Sequence, residues 1–258
     1  MNAISLYAKP SASFAAKLAH TGAVLADACE RLQPITQASS LGVEDMVITH
    51  LLHTLKLDSE VFVLQTGKLH AETLALLATV QTTYGTDRVV RVYEPDAQAA
   101  ADFVAANGED AMYKSIELRK ACCDIRKMVP LDKALEGKKA WITGLRREQS
   151  NARAEVKDIE EQDPTRSVGR DSRAKVNPLA DWTTGDVWHY ISINQVPYNA
   201  LHDQFYPSIG CAPCTRAVTL GEDFRSGRWW WENESAKECG LHVDGAAASS
   251  IIPIRAVA

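Results

Sequence analysis

Short apolar runs alternate with helix-patterned stretches through the first half of this 258-residue chain, and that alternation limits the fold more than any other feature. The run at 35–39 leads into a helical pattern at 43–57, that at 61–64 into 71–84, and that at 89–93 into 97–106. A fourth run follows at 141–145, and a later helix at 184–193 has Asp181 or Thr183 as its cap. An Ala-rich helix at 11–32, ended by Pro34, precedes them all. Apolar strands separated by helices predict an α/β fold, a mostly parallel sheet flanked by helices on both faces. Residues 1–220 are expected to form this single domain. From Gly221 the pattern becomes irregular, and 221–258 reads as a mobile C-terminal tail.

In such sheets, ligands bind beyond the carboxyl ends of the strands. The loops there are 39–45 (SSLGVED), 65–68 (QTGK) and 144–147 (GLRR), each with a Gly where the chain turns. Backbone N–H groups at a helix start can cradle a phosphate. Three such loops in succession point to a nucleotide, although each alone is equally a tight turn. No Walker-type phosphate loop is present. A net charge of −5 argues against a nucleic-acid partner. Arg146, Arg147, Arg153, Arg166, Arg170 and Arg173 nevertheless crowd one stretch, with Arg225 and Arg228 further on. Interleaved acids make that stretch either a solvated loop or a site for a small anion, whose oxygens suit guanidinium forks. No apolar run approaches the ~18 residues of a membrane span, and no export signal is visible. A cytoplasmic location with reduced thiols is expected.

Four of the six cysteines form a pair of pairs, Cys122-Cys123 and Cys211-Ala212-Pro213-Cys214. The second pair alone suits a redox centre, half a zinc site or half an iron–sulfur site. Zinc usually draws on C-x₂₋₄-C pairs. Side chains of adjacent residues diverge, so Cys122 and Cys123 reach one centre more easily when that centre is wide; with sulfur-only ligation this favours iron–sulfur over zinc. Cys239 has no second Cys near it and is either an inert thiol or a free nucleophile. Cys29 belongs to the first helix and reads as a core residue, and Trp229-Trp230-Trp231 as packing.

Taken together, the segments 120–127 (KACCDIRK), 142–150 (ITGLRREQS), 210–214 (GCAPC), 225–229 (RSGRW) and 238–242 (ECGLH) resemble the assimilatory adenylylsulfate (APS) reductases, from about Ser39 to His242. The resemblance implies an adenine-nucleotide α-hydrolase-like fold, one 4Fe–4S cluster per chain, a homo-oligomer, and thioredoxin or a similar dithiol protein as reductant. It implies that Cys122, Cys123, Cys211 and Cys214 hold the cluster and that Cys239 is the nucleophile. Ser39, Ser40, Leu41, Gly42, Glu44, Asp45, Leu64, Thr66, Gly67 and Gly144 match nucleotide-contacting strand ends, and Lys127, Arg225, Arg228 and His242 match positions that meet the phosphosulfate. Gln65 stands where the family usually has Asp. The implied reaction is reduction of APS to sulfite and AMP through an S-sulfonated Cys239. The rivals are a reductase of the 3′-phosphorylated nucleotide (PAPS), an ATP-dependent thiolation enzyme of the same fold, and a non-catalytic iron–sulfur or zinc module. The two Cys pairs weigh against the first, the 39–45 loop against the second, and the isolated Cys239 against the third.

Overall fold

The computed structural model describes residues 2–86, 89–150, 153–161, 173–219 and 221–232. The chain opens with α1 (Ala3–Tyr7) and α2 (Phe14–Arg31), then alternates β1 (Ile35–Ser39), α3 (Val43–Thr54), β2 (Glu60–Leu64), α4 (Ala71–Tyr84), β3 (Val90–Tyr93) and α5 (Ala97–Asn107). Three short helices, α6 (Ala111–Lys114), α7 (Ile116–Cys123) and α8 (Val129–Ala134), lead to β4 (Ala140–Ile142). β5 (Ile159–Glu160), β6 (Ala174–Val176) and α9 (Thr184–Asn194) follow. The six strands form one sheet ordered β3-β2-β1-β4-β6-β5, parallel except for β5. This is the expected α/β architecture.

Strand alternation builds two cores. Ala140 and Ile142 of β4 face one side with Val63 of β2, among residues of α2, α3, α4 and α9. Their neighbours Trp141 and Phe62 face the other side, against Met128, Leu131 and Leu135. α2 presents Thr21, Val24, Leu25 and Ala28 at helical spacing, which is why its Ala-rich sequence settles on the sheet. Thr183 caps α9, in a capping box with Asp186. Asp186 also receives Ser11 N–H (2.7 Å) and Lys17 Nζ (2.8 Å), strapping the N-terminal segment onto α9. Burial would raise its pKa, but the Lys17, Thr183 and Ser11 hydrogen bonds prevail and hold it well below the usual carboxylate range.

The sequence reading has no counterpart of α6, α7, α8, β5 or β6, and two further features have a physical cause. β4 ends at Ile142 rather than 145, because Thr143 already turns, donating its hydroxyl to Asn177 (2.6 Å). Between α7 and α8 the helix widens into a π-turn at Asp124–Met128, where Val129 N–H reaches back to Asp124 O. Pro130 lacks the N–H that a regular turn needs, and the wider turn absorbs that defect. Of the expected tail 221–258, residues 233–258 lie outside the described residues, and 221–232 pack against the domain. Trp229 is 1% exposed, Thr215 bridges Arg228, and Arg119 pairs with Glu232 in a fully buried ion pair. Among the described residues no helix is long and apolar enough to cross a membrane.

Candidate active site

β1 and β4 are neighbours, yet the chain leaves β1 toward β2 on one side and returns to β4 on the other. A crevice opens at such a switch point, above the carboxyl ends of the two strands. Its floor is the turn from β1 into α3. Leu41 there is buried with φ +60°, a left-handed conformation that costs a non-glycine residue of order 1–3 kcal/mol. The strain is held by local bonds: Ser39 Oγ accepts Leu41 N–H (3.2 Å), and Asp45 Oδ2 accepts both Ser40 N–H (2.7 Å) and Ser40 Oγ–H (2.6 Å). The N–H groups opening α3 are thereby aimed into the crevice. Gly144, at the end of β4, lies so close that a Cβ would sit 2.6 Å from Asp45 Oδ1 and 2.8 Å from Glu44 Cβ. Only glycine lets the two strand ends meet.

Two carboxylates sit at this anion-directed helix end, and they are treated differently. Glu44 is engaged by Arg146, whose Nε and Nη2 reach Oε1 at 3.0 and 2.9 Å. Burial opposes its ionisation, but Arg146 and Gln149 outweigh that and hold its pKa below the usual range. Among the described residues no ion pair joins Asp45 to a cation. Burial pushes it up to about 6, against the Ser40 hydrogen bonds that pull it down, with Glu44 adding repulsion. A carboxyl whose folded pKa is raised costs nothing below its unfolded value and most above the folded one, so the penalty grows between about pH 4 and 6. Asp45→Asn is expected to raise folding stability at pH 8, by at most about 3 kcal/mol, while the gain disappears near pH 4. Thermal unfolding of both proteins across that range checks it, and parallel pH profiles would sink the idea.

The second wall is the loop after β2. Gly67 has φ +73°, and its N–H is taken by Gln65 Oε1 at 2.7 Å. Arg126 Nη1 donates to Thr66 O (2.9 Å), and Thr66 Oγ1 lies 3.3 Å from Cys211 Sγ. A β-bridge between Leu69 and Cys211 fastens this loop to the Cys211–Cys214 turn. Cys122 and Cys123 end α7, and all four cysteines line one small cavity together with Lys68, Arg119, Arg126 and Lys127. All four are free thiols. Burial pushes Cys214 up to about 11, with Cys211 nearby adding to the shift and Lys127 and Arg228 opposing it; Cys122 is raised for the same first reason. Trp229 Nε1 is buried with no acceptor among the described residues, and its ring packs with Cys122 and Cys214.

The crevice brings together Ser39, Ser40, Gly42, Glu44, Asp45, Leu64, Thr66, Lys127, Gly144, Arg225 and Arg228. Leu41 and Gly67 do not line it; they shape its loops from beneath and beside. Cys239 and His242 lie outside the described residues, as do Arg166 and Arg170. The arginine run divides: Arg153 lines the crevice and Arg146 is buried in ion pairs, while Arg147 pairs with Asp181 and Asp158 at the surface. Gln149, His202 and Ser208 also line the crevice. Gln149 falls within the 142–150 motif, though no role was assigned to it from sequence; His202 and Ser208 carry no local signal, because tertiary folding alone brings them there. Cys29 is buried in the core, as expected.

Comparison with known proteins agrees with this geometry. Residues 34–217 match the model of the phosphoadenosine phosphosulfate reductase domain. The chain is 51% identical to an adenosine 5'-phosphosulfate reductase of Allochromatium vinosum, over 85% of this chain and 82% of that one. It is 48% identical to one of Burkholderia cepacia, over 94% and 92%. A phosphoadenylyl-sulfate reductase of Candida auris, solved as a phosphate complex, superposes with TM-score 0.63 at 25% identity, covering 77% of this chain and 90% of that one. An FMN adenylyltransferase of Candida glabrata shares the fold alone, at TM-score 0.54 and 11% identity, covering 92% and 81%. With a family model spanning most of its length and relatives near half identical, the chain belongs to the phosphoadenosine phosphosulfate reductase family, among its adenosine 5'-phosphosulfate reductases.

Proposed function

We propose that the chain reduces APS to sulfite and AMP in sulfate assimilation, through an S-sulfonated Cys239 that thioredoxin or a similar dithiol protein releases. The observation that carries the reading is Lys127, which lines both the nucleotide-type crevice and the four-cysteine cavity. A phosphate placed at the start of α3 shares its crevice with Lys127, Arg225 and Arg228. The Cys239 thiolate attacks the sulfur of APS, the bond from that sulfur to the phosphate oxygen breaks, and AMP leaves. Bringing a thiolate to an anion costs ~1 kcal/mol at 4 Å in water and ~4 kcal/mol at an effective dielectric of 20. Three cations offset that repulsion and stabilise charge on the departing phosphate. The dithiol then attacks Cys239 Sγ, sulfite departs with the bonding pair, and the dithiol closes to a disulfide, supplying the two electrons.

Cys122, Cys123, Cys211 and Cys214 would hold a 4Fe–4S cluster, and several observations fit that group. The donors are all sulfur. All four line one small cavity, and a wide sulfur-ligated centre suits thiols drawn from an adjacent pair and a C-x-x-C turn. Lys68, Arg119, Arg126 and Lys127 line the cavity, Lys68 and Arg119 already paired with Glu109 and Glu232, so Arg126 and Lys127 would offset most of the charge of a thiolate-rich group. The buried Trp229 Nε1, without an acceptor among the described residues, packs with Cys122 and Cys214 and would be a donor to sulfur there. Bound there, the cluster would supply a buried anionic centre that tunes the cationic wall it shares with the substrate crevice.

The test is the intact mass of anaerobically purified protein after incubation with APS, or separately with PAPS, in the absence of reductant. One SO₃ group gained, mapped to Cys239 and released as sulfite by thioredoxin, is expected, faster with APS. No adduct with either nucleotide, in protein containing its iron, would overturn the reading.

A further inference from the structure

We propose that Trp229 is a positioning residue for Arg228, holding that guanidinium preorganised at the anion end of the crevice; this rests on the reading of Arg228 as a substrate ligand. Trp229 is fully buried, at 1% exposure, and its backbone has φ +41°, a conformation that a bulky residue adopts only when its surroundings impose it. Its N–H donates to Cys214 O (3.2 Å), fixing it to the Cys211–Cys214 turn. Two guanidinium carbons lie over its ring, Arg119 Cζ at 4.6 Å and Arg228 Cζ at 4.8 Å from the centroid. The two arginines are held differently. Arg119 is clamped by Glu232 in a bidentate pair, 2.9 and 2.7 Å, between side chains 2% and 3% exposed. Arg228 lines the crevice, and Nη1 donates to Ile209 O at a long 3.3 Å.

Gly210 marks the other boundary of Arg228. A Cβ on Gly210 would lie 2.4 Å from Nη2 and 2.5 Å from Cζ of that guanidinium, so the group passes directly over a residue with no side chain. The indole and the bare Gly210 backbone together confine a long, flexible side chain to one place before any ligand arrives. Preorganisation of this kind strengthens a charge-assisted contact without adding one. Packing alone asks only for a large apolar group at 229. The cation–π contact asks for an aromatic face.

The two demands separate in a double-mutant cycle. The holoprotein would carry Cys239→Ser, so that the Kd for APS is read without turnover. Trp229→Leu is expected to weaken APS binding about tenfold, the scale of one desolvated cation–π contact. Trp229→Phe is expected to stay within about threefold of the parent on the same scale. In an Arg228→Ala background, Trp229→Leu should add nothing, because its effect passes through the missing group. Gly210→Ala, which pushes the guanidinium from the other side and leaves the core untouched, should reproduce both results. Equal losses from Trp229→Leu with and without Arg228 would overturn the proposal. If the Leu variant fails to fold, an unchanged Kd for Gly210→Ala would overturn it instead. A parent protein that does not bind APS would refute the underlying function, and an Arg228→Ala protein with parental Kd would refute the role of Arg228; either also removes the proposal.

Discussion

Replacement of Cys239 by serine is expected to stop sulfite release, leaving less than about one part in 10⁴ of the parent rate, while the Kd for APS and the iron content stay unchanged. The size follows from the chemistry. A thiol of ordinary pKa is a few per cent thiolate at neutral pH, and a hydroxyl supplies essentially no alkoxide without a dedicated base. No other cysteine is placed to stand in. Cys29 is buried in the core, and Cys122, Cys123, Cys211 and Cys214 face a cavity of their own. The sixth cysteine follows seven residues after Glu232, the residue that the buried Arg119 anchors. Seven residues span at most ~24 Å. Intact mass after incubation with APS is the direct check: the Ser protein should gain no SO₃. An adduct on any other cysteine would move the nucleophile elsewhere.

The fold was legible where one period ran long enough to be unambiguous. β1, β2 and β3 with α3, α4 and α5 could be read because each strand is followed by ten or more residues of helical pattern. β5 and β6 are two and three residues long, and β6 pairs with β4 only after a long excursion, so no local signal announces them. α6, α7 and α8 are short, and the π-turn at Asp124–Met128 breaks the period where Cys123 and Lys127 must face shared cavities. The same irregularity that hides these helices from a period search builds the wall between the two pockets. The candidate site was legible through motifs whose chemistry is local: the turn into α3, the glycine ending β4, and the paired cysteines. Arg153 carried a partial signal in the arginine run. His202 and Ser208 carried none, since the 3₁₀ turn at Ala200–Gln204 reaches the crevice only through tertiary packing. The packing of 221–232 had no sequence signal because its anchors, Arg119 and the Cys211–Cys214 turn, are distant in sequence or irregular in pattern.

Arg146→Leu is expected to cost about 3–5 kcal/mol of folding stability, the price of stranding a buried charge. Arg146 is 1% exposed and contacts four groups: Glu44, Glu148 (2.7 Å), Trp182 O (3.1 Å) and Thr184 Oγ1 (3.2 Å). Leucine fills part of the volume but leaves Glu44, 12% exposed, with Gln149 as its remaining side-chain donor. For a domain of this size the loss corresponds to a thermal midpoint lower by about 10 °C. Function should suffer separately. Glu44 lies in the first turn of α3, where the helix end is aimed at an anion, and Arg146 keeps its charge from opposing one. APS binding should therefore weaken even at temperatures where the variant is folded. Adding Glu44→Gln removes the stranded charge and should recover most of the lost midpoint, because the neutral amide is cheaper to bury than an uncompensated carboxylate. Thermal unfolding of the two single variants and the double variant decides the matter. A single Arg146→Leu midpoint within about 2 °C of the parent, less than ~1 kcal/mol, would mean that water or a rearranged neighbour already screens Glu44. A double variant no better than the single one would place the role of Arg146 in its bonds to Trp182 and Thr184 instead.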